Sequence, residues 1–184
     1  MKQITIADIL TLERVKLHAE CASKKRVLEL ASQLLATAQE GLEAWEIFDL
    51  LLARERLGST GVGRGVAIPH GKLAALRAPV GCFLRLHEAV EFNSPDGQEV
   101  SMIFAILVPE GDEGSHLSIL GQLARRFSDP EFCGAIRATE SSEVAFSLLT
   151  RKLSDSALDA GTDGEDETER VPPPDRNSAP GLAD

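Results

Sequence analysis

His70 is the residue whose neighbours most limit what it can be. Pro69 fixes the backbone approach and supplies no N–H, while Gly71 removes the side chain that would crowd the imidazole, so the ring can stand open at a strand end. The charge around it is unusual. Residues 56–87 contain no Asp or Glu yet carry Arg56, Arg64, Lys72, Arg77 and Arg85; in a chain this acidic, simple proportion would place about five acids there. An open imidazole among bases suits a nucleophile that takes up a negatively charged group, whereas a turn histidine without function leaves the missing acids unexplained. His116 follows Ser115 at a predicted helix start, where unpaired N–H groups and the positive dipole end favour an anion, although a first-turn histidine is often simply exposed. His18 and His87 fall among polar neighbours in predicted strands and read as surface residues.

Other chemistries fit less well. A metal site needs three or four ligands, usually with a close pair, and the histidines are far apart while the acid-free window withholds carboxylates. There is no Gly-x-Ser-x-Gly nucleophile elbow, and Gly61-x-Gly63-x-Gly65 alone is too common to imply a dinucleotide. Nucleic acid is disfavoured because the basic stretch has only Phe83 to stack on a base. Cys21, Cys82 and Cys133 are odd in number and widely spaced, so they read as small buried residues rather than ligands or a disulfide framework.

The elements that must position His70 follow from periodicity. Residues 5–12 form a short capped opening, and 14–19 alternate as an edge strand. Ser23 caps a helix carrying the stripe Val27, Leu28, Leu30, Ala31, Leu34 and Leu35 and ending near Gly41. A second helix spans about 43–57, with Trp45, Phe48, Leu51 and Leu52 inward and Gly58 as its stop. Residues 65–69 are short and β-like. Residues 80–92 alternate, with Val80, Cys82, Leu84, Leu86, Val90 and Phe92 on one face and Phe83, Arg85, His87 and Glu91 on the other. The continuous apolar run 100–108 reads as a central strand covered on both sides. Three helices complete the pattern: one capped by Ser115 with Leu117, Leu120, Leu123, Ala124 and Phe127 on a stripe, then 130–138 and 142–153. Interleaved helices and strands with a doubly covered strand call for an α/β fold: one three-layer domain, a mixed β-sheet flanked by helices on both faces, over residues 1–153.

The chain has 184 residues, 43% apolar and 26% charged, and a net charge of −10. That charge is uneven. Residues 154–184 hold nine acids against Arg170 and Arg176, leaving residues 1–153 near neutrality. This stretch lacks Phe, Trp and Ile and contains Pro172-Pro173-Pro174, so it reads as a disordered acidic C-terminal tail. No run free of charged residues exceeds eleven, and no secretory signal opens the chain, so a cytoplasmic protein without membrane insertion is expected.

The segment Gly58-Ser59-Thr60-Gly61-Val62-Gly63-Arg64-Gly65-Val66-Ala67-Ile68-Pro69-His70-Gly71-Lys72-Leu73 resembles the fructose/mannitol-type (type-2) enzyme IIA domains of the bacterial phosphotransferase system, most of all the nitrogen-regulatory kind. The likeness extends over about 4–153, through Ser23-Lys24-Lys25-Arg26, Phe104-Ala105-Ile106-Leu107-Val108-Pro109 and Ser115-His116-Leu117. It implies the mannitol-type IIA fold, His70 as the phosphorylated nucleophile, His116 as a second active-site histidine and Arg54 as the arginine before the Gly-Ser-Thr segment. Ser59, Thr60 and Arg64 are the expected phosphoryl-binding residues; Arg64 departs from the polar or acidic residue common there, and Ser118 stands where nitrogen-type relatives often carry a further histidine. The implied donor is an HPr-like phosphocarrier protein, and transfer between imidazoles needs no metal, nucleotide or other cofactor. Implied partners on the output side are regulatory targets such as sensor kinases or potassium transporters. The alternative is a sugar-transport IIA component that passes phosphate to a fructose/mannitol-type IIB domain.

Overall fold

A computed structural model describes residues 4–151. The acidic segment 154–184, read from sequence as disordered, lies outside them. Among the described residues no helix is long and apolar enough to cross a membrane.

The chain opens with α1 (Ile6–Ile9), capped by Thr5, whose N–H and hydroxyl both donate to the Asp8 carboxylate. After a 3-10 turn at Leu12–Arg14 come β1 (Val15–Ala19), α2 (Lys24–Ala36) and α3 (Ala44–Arg56). Ser23 caps α2 as its residue type predicts, accepting from the Arg26 N–H at 3.3 Å. Then follow β2 (Gly61–Gly63), β3 (Val66–Ala67), β4 (His70–Leu73), β5 (Val80–Val90), β6 (Val100–Pro109), α4 (Glu113–Ser128), α5 (Pro130–Ala138) and α6 (Ser142–Thr150). The sheet runs β1-β5-β6-β3-β2, with β4 also pairing to β6. It is mixed: β1 is parallel to β5, β5 antiparallel to β6, and β3 and β4 both parallel to β6.

The central strand β6 explains the layers. Alternate side chains must point to opposite faces. Ile103, Ala105 and Leu107 join the core under α2 and α3, while Met102, Phe104, Ile106 and Val108 join the core under α1, α4, α5 and α6. Both faces are thus apolar, as expected of a strand with cover on each side. All three cysteines are buried.

Three readings are corrected. The 80–92 strand has no solvent face along most of its length: Phe83 is fully buried and Arg85 nearly so. Arg85 donates to the Ile136 and Arg137 carbonyls at 3.2 and 2.6 Å and to the Thr139 carbonyl, so the guanidinium terminates α5 from below. α5 and α6 supply a layer that alternation alone did not reveal. In the 43–57 helix Phe48, Leu51 and Leu52 face the core as expected, but Trp45 is 66% exposed, and Ile47 and Glu55 are buried instead. α2 stops at Ala36, short of Gly41.

Arg85→Met is expected to lower stability by about 3 kcal/mol, because helix-terminal carbonyls lose their buried donor. Urea unfolding followed by circular dichroism measures it. A loss below about 0.5 kcal/mol would restore Arg85 to the surface.

Candidate functional site

His70 is the first residue of β4 and pairs with Ile106 of β6. Its ring is half-buried, and both nitrogens have partners. Nδ1 lies 2.7 Å from the Ile68 carbonyl, and Arg54 Nε donates to Nε2 at 3.2 Å. A carbonyl can only accept and a guanidinium can only donate, so the neutral ring carries its proton on Nδ1 and its lone pair on Nε2. Burial pushes the His70 pKa down; the Arg54 and His116 charges push the same way, against the Ile68 hydrogen bond and the Glu55 carboxylate. The imidazole is therefore neutral, and Nε2 nucleophilic, to lower pH than an ordinary histidine.

Arg54 comes from α3, on the face formed by Leu50, Ala53, Arg54 and Leu57, which repeats at three- and four-residue spacing. Its Nη1 donates to the Gly58 carbonyl at 3.0 Å, which fixes the guanidinium from behind. Gly58 has a φ of +154°, which side chains rarely adopt, so glycine is required where the chain leaves α3. Gly71 has a second role beside the one expected from sequence. A Cβ there would also meet the Leu50 side chain of α3, 1.7 Å from Cδ2 and 3.1 Å from Cγ, so the glycine leaves room for Leu50 over β4.

His116 comes from α4, across the sheet from α3, and its ring centroid lies 5.2 Å from that of His70 at an interplanar angle of 65°. The cap of α4 is Asp112 rather than Ser115: its carboxylate accepts from the Ser115 N–H at 3.1 Å, and the His116 N–H bonds the Asp112 carbonyl at 3.2 Å. His116 thus reaches the site through its ring, not through a free helix N-terminus. Its Nδ1 is buried and has no partner among the described residues. Burial, then the Lys72 charge, lowers its pKa.

An open pocket of about 520 Å³ unites Arg54, His70, Lys72 and His116, with Leu50, Ala53, Leu57 and Gly71 completing its lining. Lys72 was not singled out by sequence for this site, although strand alternation places it on the same side of β4 as His70. Its ammonium pairs with Glu113 at the start of α4. The other predicted residues are placed differently. Ser59 Oγ donates to the Phe92 carbonyl at 2.5 Å, and Thr60 gives both its N–H and its hydroxyl to Glu55, so these side chains anchor the loop. Arg64 is not brought to the pocket. It sits at φ +57° in the turn between β2 and β3, and its guanidinium donates to the Ser128 carbonyl at the end of α4. Of the five bases in the acid-free window, only Lys72 lines this pocket.

The profile of the family described as phosphoenolpyruvate-dependent sugar phosphotransferase system, EIIA 2, matches residues 8–152. This chain belongs to that family. A nitrogen regulatory protein of Klebsiella oxytoca is 40% identical to this IIA protein over 149 residues, covering 80% of this chain and 91% of the relative. A fructose-specific EIIABC component of Bacillus subtilis is 30% identical over 146 residues, 79% of this chain but 23% of that longer protein. Among solved structures, the nitrogen regulatory protein IIA-Ntr from Neisseria meningitidis superposes with a TM-score of 0.75 at 43% identity, covering 79% of this chain and 99% of that one. Mannitol IIA of Escherichia coli shares the fold, with a TM-score of 0.65 at 22% identity over 76% of this chain and 98% of that one. Family membership makes the chain a phosphotransfer component and implies a phosphocarrier partner.

NMR titration of the His70 ring is expected to give a midpoint below the ordinary imidazole value of about 6.5, and Arg54→Gln to raise it by removing a neighbouring positive charge. A wild-type midpoint at or above the ordinary value would contradict this account of the site.

Proposed function

We propose that this IIA protein accepts a phosphoryl group on His70 Nε2 from the phosphohistidine of an HPr-like carrier protein and regulates downstream proteins according to the state of that ring. The observation that carries this reading is the pairing of a fixed Nδ1 proton with an Nε2 lone pair that faces a cationic pocket. The Nε2 lone pair attacks phosphorus, the N–P bond of the donor phosphohistidine breaks, and its electron pair returns to the donor imidazole. The Nδ1 proton stays on the His70 ring, held by the Ile68 carbonyl. The resulting ring is a phosphorylated imidazolium, a good leaving group when the phosphoryl group moves on. Arg54 exchanges its bond to Nε2 for the phosphoryl oxygens, and a His116 ring N–H donates to another. Phosphoryl transfer of this kind depends on positioning and charge stabilisation rather than on covalent machinery.

A protein donor also suits the rim. Leu57 on the pocket edge is 87% exposed and Leu117, next to His116, is 69% exposed, apolar surface of the kind a docked protein covers. Phosphorylation would bring about −1.5 to −2 charges to this face, enough to change which targets dock there.

With carrier phosphorylated from phosphoenolpyruvate, His70→Ala is expected to fold normally and take no acid-labile label. Label persisting on that variant would overturn the assignment. His116→Ala should still be labelled, but about tenfold or more slowly, as expected when one positioned donor is lost; an unchanged rate would demote it to a surface residue. The likeness to the fructose-specific relative supports one second reading, onward transfer to a IIB domain. Rapid passage of label from this protein to one of the host's sugar IIB domains would favour transport over regulation.

A further inference from the structure

One buried charge beside the pocket has no part in the transfer described so far. Glu55 follows Arg54 on α3, but its side chain points the other way, into the protein, and is 4% exposed. A carboxylate there is tolerable only if its oxygens are fully paired. Oε1 accepts from Lys24 Nζ at 2.9 Å; Oε2 accepts from the Thr60 N–H at 3.0 Å and the Thr60 hydroxyl at 2.5 Å. Lys24, at the start of α2, directs its other two donors to the Phe92 carbonyl and Asn93 Oδ1, both at 2.9 Å, so all three ammonium protons are placed. Ser59 Oγ bonds the same Phe92 carbonyl and accepts from the Gly61 N–H at 3.0 Å. One network thus joins α2, the end of α3, the 58–61 loop and the chain just after β5.

We propose that Glu55 is a positioning residue for phosphoryl transfer: its carboxylate clamps the 58–61 loop so that the Gly58 carbonyl holds the Arg54 guanidinium against His70. The inference rests on the reading of His70 as phosphoryl acceptor. Arg54 has two anchors, Nε on the imidazole and Nη1 on Gly58. The second lies two residues before Thr60, so a loop released from Glu55 carries the Gly58 carbonyl away and leaves the guanidinium loosely aimed. Displacements of about 1 Å in such a group can lower a transfer rate about a hundredfold. Glu55 also acts on the ring electrostatically. Arg54 and His116 lower the His70 pKa and the Glu55 carboxylate opposes them, while Lys72, also in the pocket, is paired with Glu113.

The test is single-turnover phosphoryl acceptance from a phosphorylated HPr-like carrier, measured across pH and well below the melting temperature, for wild type, Glu55→Gln and the double variant Lys24→Met/Glu55→Gln. Glu55→Gln should be slower by about tenfold or more at saturating carrier, with the carrier concentration for half-maximal rate little changed. The acid limb of its pH profile should move to lower pH, because the carboxylate that opposes the lowering of the His70 pKa is gone. The double variant removes the half-buried ammonium left without its carboxylate and should regain melting temperature without regaining the rate or the limb. A Glu55→Gln rate equal to wild type, an unmoved limb, or a rate that recovers together with stability in the double variant would each overturn the proposal. Failure of wild type to take label on His70 would instead defeat the parent reading.

Discussion

The Ile68 carbonyl at 2.7 Å from His70 Nδ1 decides what this site can do. A neutral imidazole has one proton and one lone pair, and an immovable backbone acceptor at one nitrogen assigns the lone pair to the other. Pro69, between the two residues, restricts the backbone that sets their separation. Arg54 touches Nε2, and the same pocket holds the second imidazole, the ammonium two residues along the strand and an apolar rim.

Holding those groups around one nitrogen is the task of the three layers. Arg54 belongs to the layer over one face of the sheet and His116 to the layer over the other. They meet at His70, the first residue of β4. On the α3 side an absent side chain makes room, since a Cβ at Gly71 would displace the Leu50 side chain that α3 lays over the strand. On the α4 side Asp112 starts the helix three residues before the expected cap, and the His116 N–H closes its first backbone bond on the Asp112 carbonyl. Fold and site are therefore not separable: the apolar alternation of β6 that builds both cores also sets the level at which the two helices cross His70.

Much of this was legible beforehand, for identifiable reasons. The doubly covered β6 announced itself as a continuous apolar run, and α5 lies where a helix was expected at 130–138. The alternation of β5 misled because Arg85 looks like a surface residue; only the arrival of α5 and α6 over that face, a contact between residues some fifty apart, converts it into a buried donor. Within the site, His70 was legible from Pro69 and Gly71, but the acid-free window pointed to it for a partly mistaken reason. Arg64 and Arg85 serve as structural donors on carbonyls at helix ends, and Arg54, the base that touches the imidazole, lies just outside the window. Glu55 carried no sequence signal of its own, since a glutamate near the end of an amphipathic helix is ordinarily solvated and its burial follows from the loop that folds back over it.

The central claim is the identity of the reacting nitrogen. Nitrogen-15 NMR of the ring-labelled protein, before and after phosphorylation by the carrier, measures it most directly. The account predicts a free His70 ring protonated on Nδ1, and after transfer a nitrogen–phosphorus coupling at Nε2 with the Nδ1 proton retained. Coupling at Nδ1, or a free ring with its proton on Nε2, would contradict it.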